Sequence, residues 1–228
     1  MLDAEITIVV ALFPQLTQLD FTGPAQIFAR MSNTRVVLAA RTLDPVVTDC
    51  GWAIVPTATF DTAPPSDVLF VPGGAGAFDA MLDSDVLRFI RRQADAASFV
   101  TSVCTGSFVL GAAGLLKGKR ATSHWASLHM LSELGAIPTS ERVVRDGAVI
   151  TGAGVSSGID FALSLVENLR GREAAERIQL TIEYDPEPPF ATGSPKNAPP
   201  DWITAGRRDA EATRLDPVRQ AAAALSEK

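Results

Sequence analysis

The sequence predicts an α/β fold: a mostly parallel sheet with helices on both faces. Three observations carry this. Runs such as Ile6-Thr7-Ile8-Val9-Val10 and Val68-Leu69-Phe70-Val71 are apolar or β-branched with little alternation, the pattern of strands covered on both faces. Helical patterns separate successive strands, as parallel pairing requires. The chain has 228 residues, 46% hydrophobic and 20% charged, enough for one large domain with a substantial core.

The elements follow in order. Residues 6–12 read as the first strand, and Thr22-Gly23-Pro24 opens a helix to about Met31 with Thr22 as cap. Val36-Val37-Leu38 is the next strand, and residues 46–55 form a hairpin turning near Asp49-Cys50-Gly51. The Val68 strand ends in Pro72-Gly73-Gly74-Ala75-Gly76, from which no helix is expected to open directly. Ser84 caps a helix to about Ala97, with Leu87, Ile90 and Ala94 at helical spacing. Phe99-Val100-Thr101-Ser102-Val103 is a buried strand, and a helix over 105–116 follows with no room for a loop. A short strand near Ala121-Thr122, a helix over 125–134, a hairpin around Arg145-Asp146-Gly147 and helices over 157–169 and 173–182 complete the body. Six of the 15 prolines fall in residues 184–200, which must be an extended arm. The tail, residues 201–225, reads as helical, with Pro217 splitting it into two short helices. Residues 1–185 thus form the α/β domain, and 186–228 an arm and tail packing on that domain or on a dimer partner.

Composition excludes several classes. A net charge of −6 argues against nucleic acid or an anionic membrane as partner. Two cysteines, Cys50 and Cys104, are too few for a disulfide scaffold or a cysteine-rich zinc site. The acidic start Met1-Leu2-Asp3-Ala4-Glu5 does not read as a signal peptide, and no apolar run reaches the roughly 18 residues needed to span a bilayer. A cytoplasmic setting is the expectation.

The chemistry centres on Val103-Cys104-Thr105-Gly106-Ser107. Cys104 falls at a sharp strand-to-helix turn, where Gly106 admits close backbone approach, as around the nucleophile elbow of hydrolases. The helix dipole there favours thiolate, and this geometry favours a nucleophile over an inert buried cysteine. Gly73 and Gly74, off the carboxyl end of a strand, read as an oxyanion hole or substrate-binding turn. Asp20, between Leu19 and Phe21, should be partly desolvated, with its pKa raised; a cap for the helix near Thr22 is the alternative reading. Thr105 places a backbone N–H and a hydroxyl beside the sulfur and reads as a catalytic residue orienting substrate or water, with an ordinary first-turn threonine as the alternative. His124, in Thr122-Ser123-His124-Trp125, is a candidate base and, with Gly73 and Gly74, a candidate oxyanion or substrate-binding residue, although a lone histidine is more often structural. His129 reads as a surface residue, Asp160 as a complement to its helix dipole, and Cys50 has no partner motif.

At these residues the chain resembles the DJ-1/PfpI superfamily. The marks are Phe13-Pro14, Leu19-Asp20-Phe21-Thr22-Gly23-Pro24, Pro72-Gly73-Gly74, Ser102-Val103-Cys104-Thr105-Gly106-Ser107, Ala121-Thr122-Ser123-His124-Trp125 and Gly158-Ile159-Asp160-Phe161-Ala162-Leu163. They span about residues 5–185, and the resemblance implies a flavodoxin-like, class I glutamine amidotransferase-like sheet. The protease-like branch places a histidine directly after the cysteine, where this chain has Thr105. The DJ-1 and glyoxalase-type branches carry a glutamate where this chain has Asp20. Regulators of the AraC type share the Cys-Thr-Gly and Thr-x-His-Trp marks but continue into a DNA-binding module, for which this chain is expected to have no room. Through the cysteine turn, Asp20 and the arm Tyr184-Asp185-Pro186-Glu187-Pro188-Pro189-Phe190, the chain is similar to the isocyanide (isonitrile) hydratase branch. That implies a homodimer, an isonitrile substrate, Cys104 as nucleophile, Asp20 as general acid and base, and no cofactor or metal. A glyoxalase or deglycase acting on α-oxoaldehydes, and a non-enzymatic cysteine redox sensor, are the rival readings.

Overall fold

The computed structural model describes residues 4–226; residues 1–3, part of the acidic start, and 227–228 lie outside it. Six of the seven strands of the central sheet run parallel, the five longer ones being β1 (Ile6–Ala11), β2 (Thr34–Ala40), β6 (Val68–Val71), β7 (Phe99–Val103) and β11 (Val149–Gly152). The short β5 (Ala58–Thr59) and the antiparallel β10 (Val143–Asp146) close the two edges, giving the order β10-β11-β7-β6-β1-β2-β5. Chain order reverses between β1 and β6, the flavodoxin-like topology, in which ligands sit beyond the strands' carboxyl ends. The expected hairpin is a separate two-stranded unit, β3 (Val46–Val47) with β4 (Ala53–Ile54), and β8 (Arg120–Ala121) pairs with β9 (Ile137–Pro138). The two-residue β5 and β9 escape sequence reading because so few residues show no alternation.

Two groups of helices cover the sheet. One contains α1 (Gln18–Phe28), α5 (Ser157–Arg170) and α6 (Arg172–Thr181). Phe28, Phe70 and Phe161, all fully buried, join α1, β6 and α5 with ring centroids 5.6 to 6.4 Å apart. Each such ring contributes about 2–3 kcal/mol by leaving water. The other group contains α2 (Ala77–Ala80), α3 (Ser84–Ala96), α4 (Gly106–Ala112), a 3-10 helix over Leu128–Leu134 and the tail helix α7 (Pro200–Ser226).

Several expectations are corrected. Helix α1 starts at Gln18, not Thr22, and ends at Phe28. Gly23 and Pro24 are a packing contact rather than a helix start: a Cβ on Gly158 would lie 3.0 Å from Pro24, and one on Gly23 would lie 3.4 Å from Ile159. A short helix, α2, does open after the glycine turn. Helix α3 is capped by Asp83, whose carboxylate accepts from the Asp85 and Val86 amides, rather than by Ser84. Helix α4 stops at Ala112, just before the left-handed Gly114, and residues 125–134 fold as turns and a 3-10 helix ending at left-handed Gly135. The tail is one helix with Pro217 inside it. Its buried Ala210, Val218 and Ala221 form a stripe against the 3-10 helix, α2 and α4, and that packing outweighs the hydrogen bond lost at proline. Among the described residues, no helix is long and apolar enough to cross a membrane.

Candidate active site

Three neighbouring strands of the sheet, β1, β6 and β7, each deliver one part of the site beyond their carboxyl ends. Strand β7 delivers Cys104, whose φ of 56° is a left-handed conformation that a side chain adopts only when its surroundings enforce it. Its amide donates to the carbonyls of Gly152 (3.0 Å) and Ala153 (2.8 Å). Its carbonyl accepts from the hydroxyls of Ser107 (3.1 Å) and Ser123 (3.0 Å). Gly106 is obligatory here, because a Cβ would lie 2.2 Å from the Val71 carbonyl oxygen and 2.6 Å from that of Pro72.

Strand β1 leads to Asp20 in the first turn of α1, fully buried. It therefore does not cap a helix beginning near Thr22, which it would precede. Its Oδ2 accepts from the Gly73 amide at 3.0 Å, and its buried Oδ1 has no hydrogen-bond partner among the described residues. Strand β6 delivers Gly73, on which all parts converge. A Cβ there would lie 2.5 Å from the Thr105 nitrogen, 2.7 Å from Asp20 Oδ2 and 2.8 Å from Cys104 Cβ. The Gly74 amide donates to the Thr105 hydroxyl at 2.8 Å, and that hydroxyl lies 2.9 Å from the Gly74 carbonyl oxygen.

This differs from the expected open oxyanion hole. The Gly73 and Gly74 amides are spent on Asp20 and Thr105, so they hold the pair together instead of facing an empty space. The expectation of a dipole-stabilised thiolate also needs correcting. The Thr105 amide and hydroxyl do favour charge on the sulfur, but burial and the facing Asp20 carboxylate outweigh them and push the thiol well up. Burial raises Asp20 from 3.8 to about 7; the expected direction holds, but Leu19, one of the two apolar neighbours, is itself exposed, and the carboxyl is enclosed by Gly73 and the cysteine turn instead. The first proton to leave the pair is thus the carboxyl's, and the form present above neutrality is a carboxylate facing a thiol.

His124 is brought close to this loop system but not into the pair. It packs on Gly154, just past the Cys104 amide's acceptors; its Nδ1 accepts from the Ala126 amide at 3.4 Å, and burial with the nearby Arg214 lowers its pKa. Among the described residues no hydrogen bond joins it to Asp20 or Cys104. His129 is half-exposed and pairs with Glu211 at 2.8 Å. Asp160 does more than complement its helix: it pairs with Arg142 and accepts from the Tyr184 hydroxyl at 3.1 Å, pinning the start of the arm. Cys50 is exposed. Sequence reading missed Ser123 as a support of the cysteine carbonyl; its position inside the Thr-Ser-His-Trp run was the available signal. Among the described residues, no group of three His, Cys, Asp or Glu side chains is placed to hold a metal ion.

Comparison with known proteins agrees with this architecture. Residues 6–168 match the model of the DJ-1/PfpI family. The chain is 50% identical to an isonitrile hydratase of Pseudomonas putida over 218 residues, covering 94% of this chain and 96% of that one. It is 28% identical to protein DJ-1alpha of Drosophila melanogaster over 78% of its own length and 84% of the relative's. Among solved structures, a ThiJ/PfpI family protein from Pseudomonas syringae superposes with a TM-score of 0.91 at 46% identity, covering 96% of this chain and 90% of that one. With the flavodoxin-like sheet order and the cysteine elbow in place, these matches make the chain a member of the DJ-1/PfpI family.

Proposed function

We propose that this protein is an isonitrile hydratase, converting isonitriles and water into N-substituted formamides. The observation that carries the reading is the 50% identity to an isonitrile hydratase over nearly the full length of both chains. The buried Cys104–Asp20 pair supports it chemically.

Asp20, as carboxylate, takes the Cys104 proton while sulfur attacks the terminal isonitrile carbon. The same carbon receives that proton, giving a thioimidate in which carbon carries both sulfur and hydrogen. Water then adds to this carbon. One of its protons reaches the nitrogen, the carbon–sulfur bond breaks, and the other proton returns to the thiol through Asp20. The Thr105 amide and hydroxyl favour negative charge on the departing sulfur. Incubation with cyclohexyl isocyanide should yield the formamide catalytically, with methylglyoxal as the competing substrate. Turnover of methylglyoxal alone would replace this reading with that of a glyoxalase.

The protein works in this reading as a homodimer. Phe190 and Trp202, on the arm and at the start of α7, are 79% and 61% exposed, apolar surface suited to a second subunit.

A further inference from the structure

The first turn of α1 carries Asp20, yet its N-cap residue, Thr17, makes no side-chain capping bond. The cap comes from elsewhere in the chain. Asp49, at the tip of the β3–β4 hairpin, accepts the Gln18 amide on Oδ1 at 3.0 Å. The hairpin is fastened to the same segment by backbone bonds on both sides of this contact. Gln15 donates to the Val47 carbonyl at 2.9 Å, and Asp49 donates to that of Leu16 at 3.0 Å. The segment is fastened in turn to the glycine turn, where Thr17 donates to the Gly73 carbonyl at 2.8 Å and Leu16 bridges Gly74. A continuous chain of bonds therefore runs from the hairpin through residues 15–18 to Gly73, Asp20 and Cys104.

We propose that Asp49 is a positioning residue for the reaction, holding the first turn of α1, and with it the Asp20 carboxyl, in place from outside the site while setting a negative charge at the N-terminus of the same helix. The inference rests on the proton-carrier role given to Asp20 above. An anion at a helix N-terminus offsets the positive end of the dipole. Asp49 thereby removes part of the field that would otherwise ionise Asp20, and acts on it in the same direction as burial. The titratable groups acting on Asp20 are Cys104 from the β7–α4 turn and Asp49 from the hairpin. Cys50 adjoins Asp49 on the hairpin, and the Asp49 carboxylate pushes the Cys50 thiol up.

The test titrates the Asp20 carboxyl by 13C NMR in the full-length wild type, Asp49→Asn and Asp49→Ala, with the resonance assigned by its loss in Asp20→Asn. Asp49→Asn keeps the acceptor for the Gln18 amide and removes the charge. The Asp20 midpoint should fall by about half a pH unit, and the acid limb of kcat/KM should move down with it. Asp49→Ala loses the cap as well, and kcat should fall about fivefold to tenfold with KM little changed. An Asp20 midpoint in Asp49→Asn identical to wild type overturns the proposal, whatever the activity. Full turnover in Asp20→Asn overturns the proton-carrier role instead, and leaves the titration to decide whether Asp49 acts on Asp20.

Discussion

Replacing Asp20 by asparagine should slow the enzyme and stabilise the fold, with the gain in stability growing as pH rises. The carboxyl titrates at about 7 in the folded protein against 3.8 for the ordinary group, because burial disfavours its charged form. Below pH 3.8 the carboxyl is protonated in both folded and unfolded chains, and the site carries no ionisation cost. Between 3.8 and 7 the unfolded chain ionises while the folded one keeps its proton, so wild-type stability falls by about 1.4 kcal/mol per pH unit. Above 7 both states are ionised, and the full loss of about 4 kcal/mol persists. Asparagine has no such term and can still accept the Gly73 amide. Urea unfolding of wild type and Asp20→Asn at pH 4 to 8 should show the variant gaining relative to wild type by up to about 4 kcal/mol across that range. Over the same range kcat should be lower by about 10²-fold, the usual scale for a lost acid–base group. Parallel stability curves from pH 4 to 8 would refute the account of Asp20 as a carboxyl held neutral by burial. Normal turnover with lower stability at every pH would reduce Asp20 to a helix-end residue.

Three further outcomes follow from the same geometry. Cys104→Ala should fold and lose essentially all hydration; activity within about tenfold of wild type, a barrier change of roughly 1.4 kcal/mol, would exclude the thiol as nucleophile. Gly73→Ala puts a methyl 2.7 Å from Asp20 Oδ2 and 2.8 Å from Cys104 Cβ, so it should cost about 1–3 kcal/mol of stability and far more in kcat than in KM. Light scattering should give a dimer mass at micromolar concentration, weakened by joint Phe190→Ser and Trp202→Ser substitution; a monomer mass for wild type would return the arm to an intramolecular role. Truncation before Pro186 is the less informative variant, because it also removes the buried Val218 stripe of α7.

The parallel sheet was legible because β1, β6 and β7 are covered on both faces and so read as unbroken apolar runs. Cys104, Thr105 and Gly106 were legible for a local reason: a strand meeting a helix without a loop admits one kind of turn. Asp20 was legible only as a carboxyl between apolar neighbours, since its partner Gly73 lies 53 residues away. The start of α1 was misplaced for the same reason, its cap being 31 residues distant on the hairpin. Local pattern also could not show that the Gly73 and Gly74 amides already have acceptors. That depends on how three strand ends meet in space. Pro217 misled in the opposite direction, because a local rule about proline lost to a packed stripe that only the folded neighbours reveal.

Placing Asp20, Gly73 and Cys104 beyond three adjacent inner strands, β1, β6 and β7, has a consequence for how the protein loses activity. Fraying of either edge, β10 or β5, leaves those three strands paired with one another, so the low-energy openings of this sheet do not disturb the chemistry. No pair of the three residues shares a βα unit, so a partly folded chain cannot assemble them. Inactivation by denaturant should therefore coincide with cooperative loss of the whole sheet. On refolding, activity should return only after the non-local β1–β6 and β6–β7 pairings form, the slow step for a parallel topology.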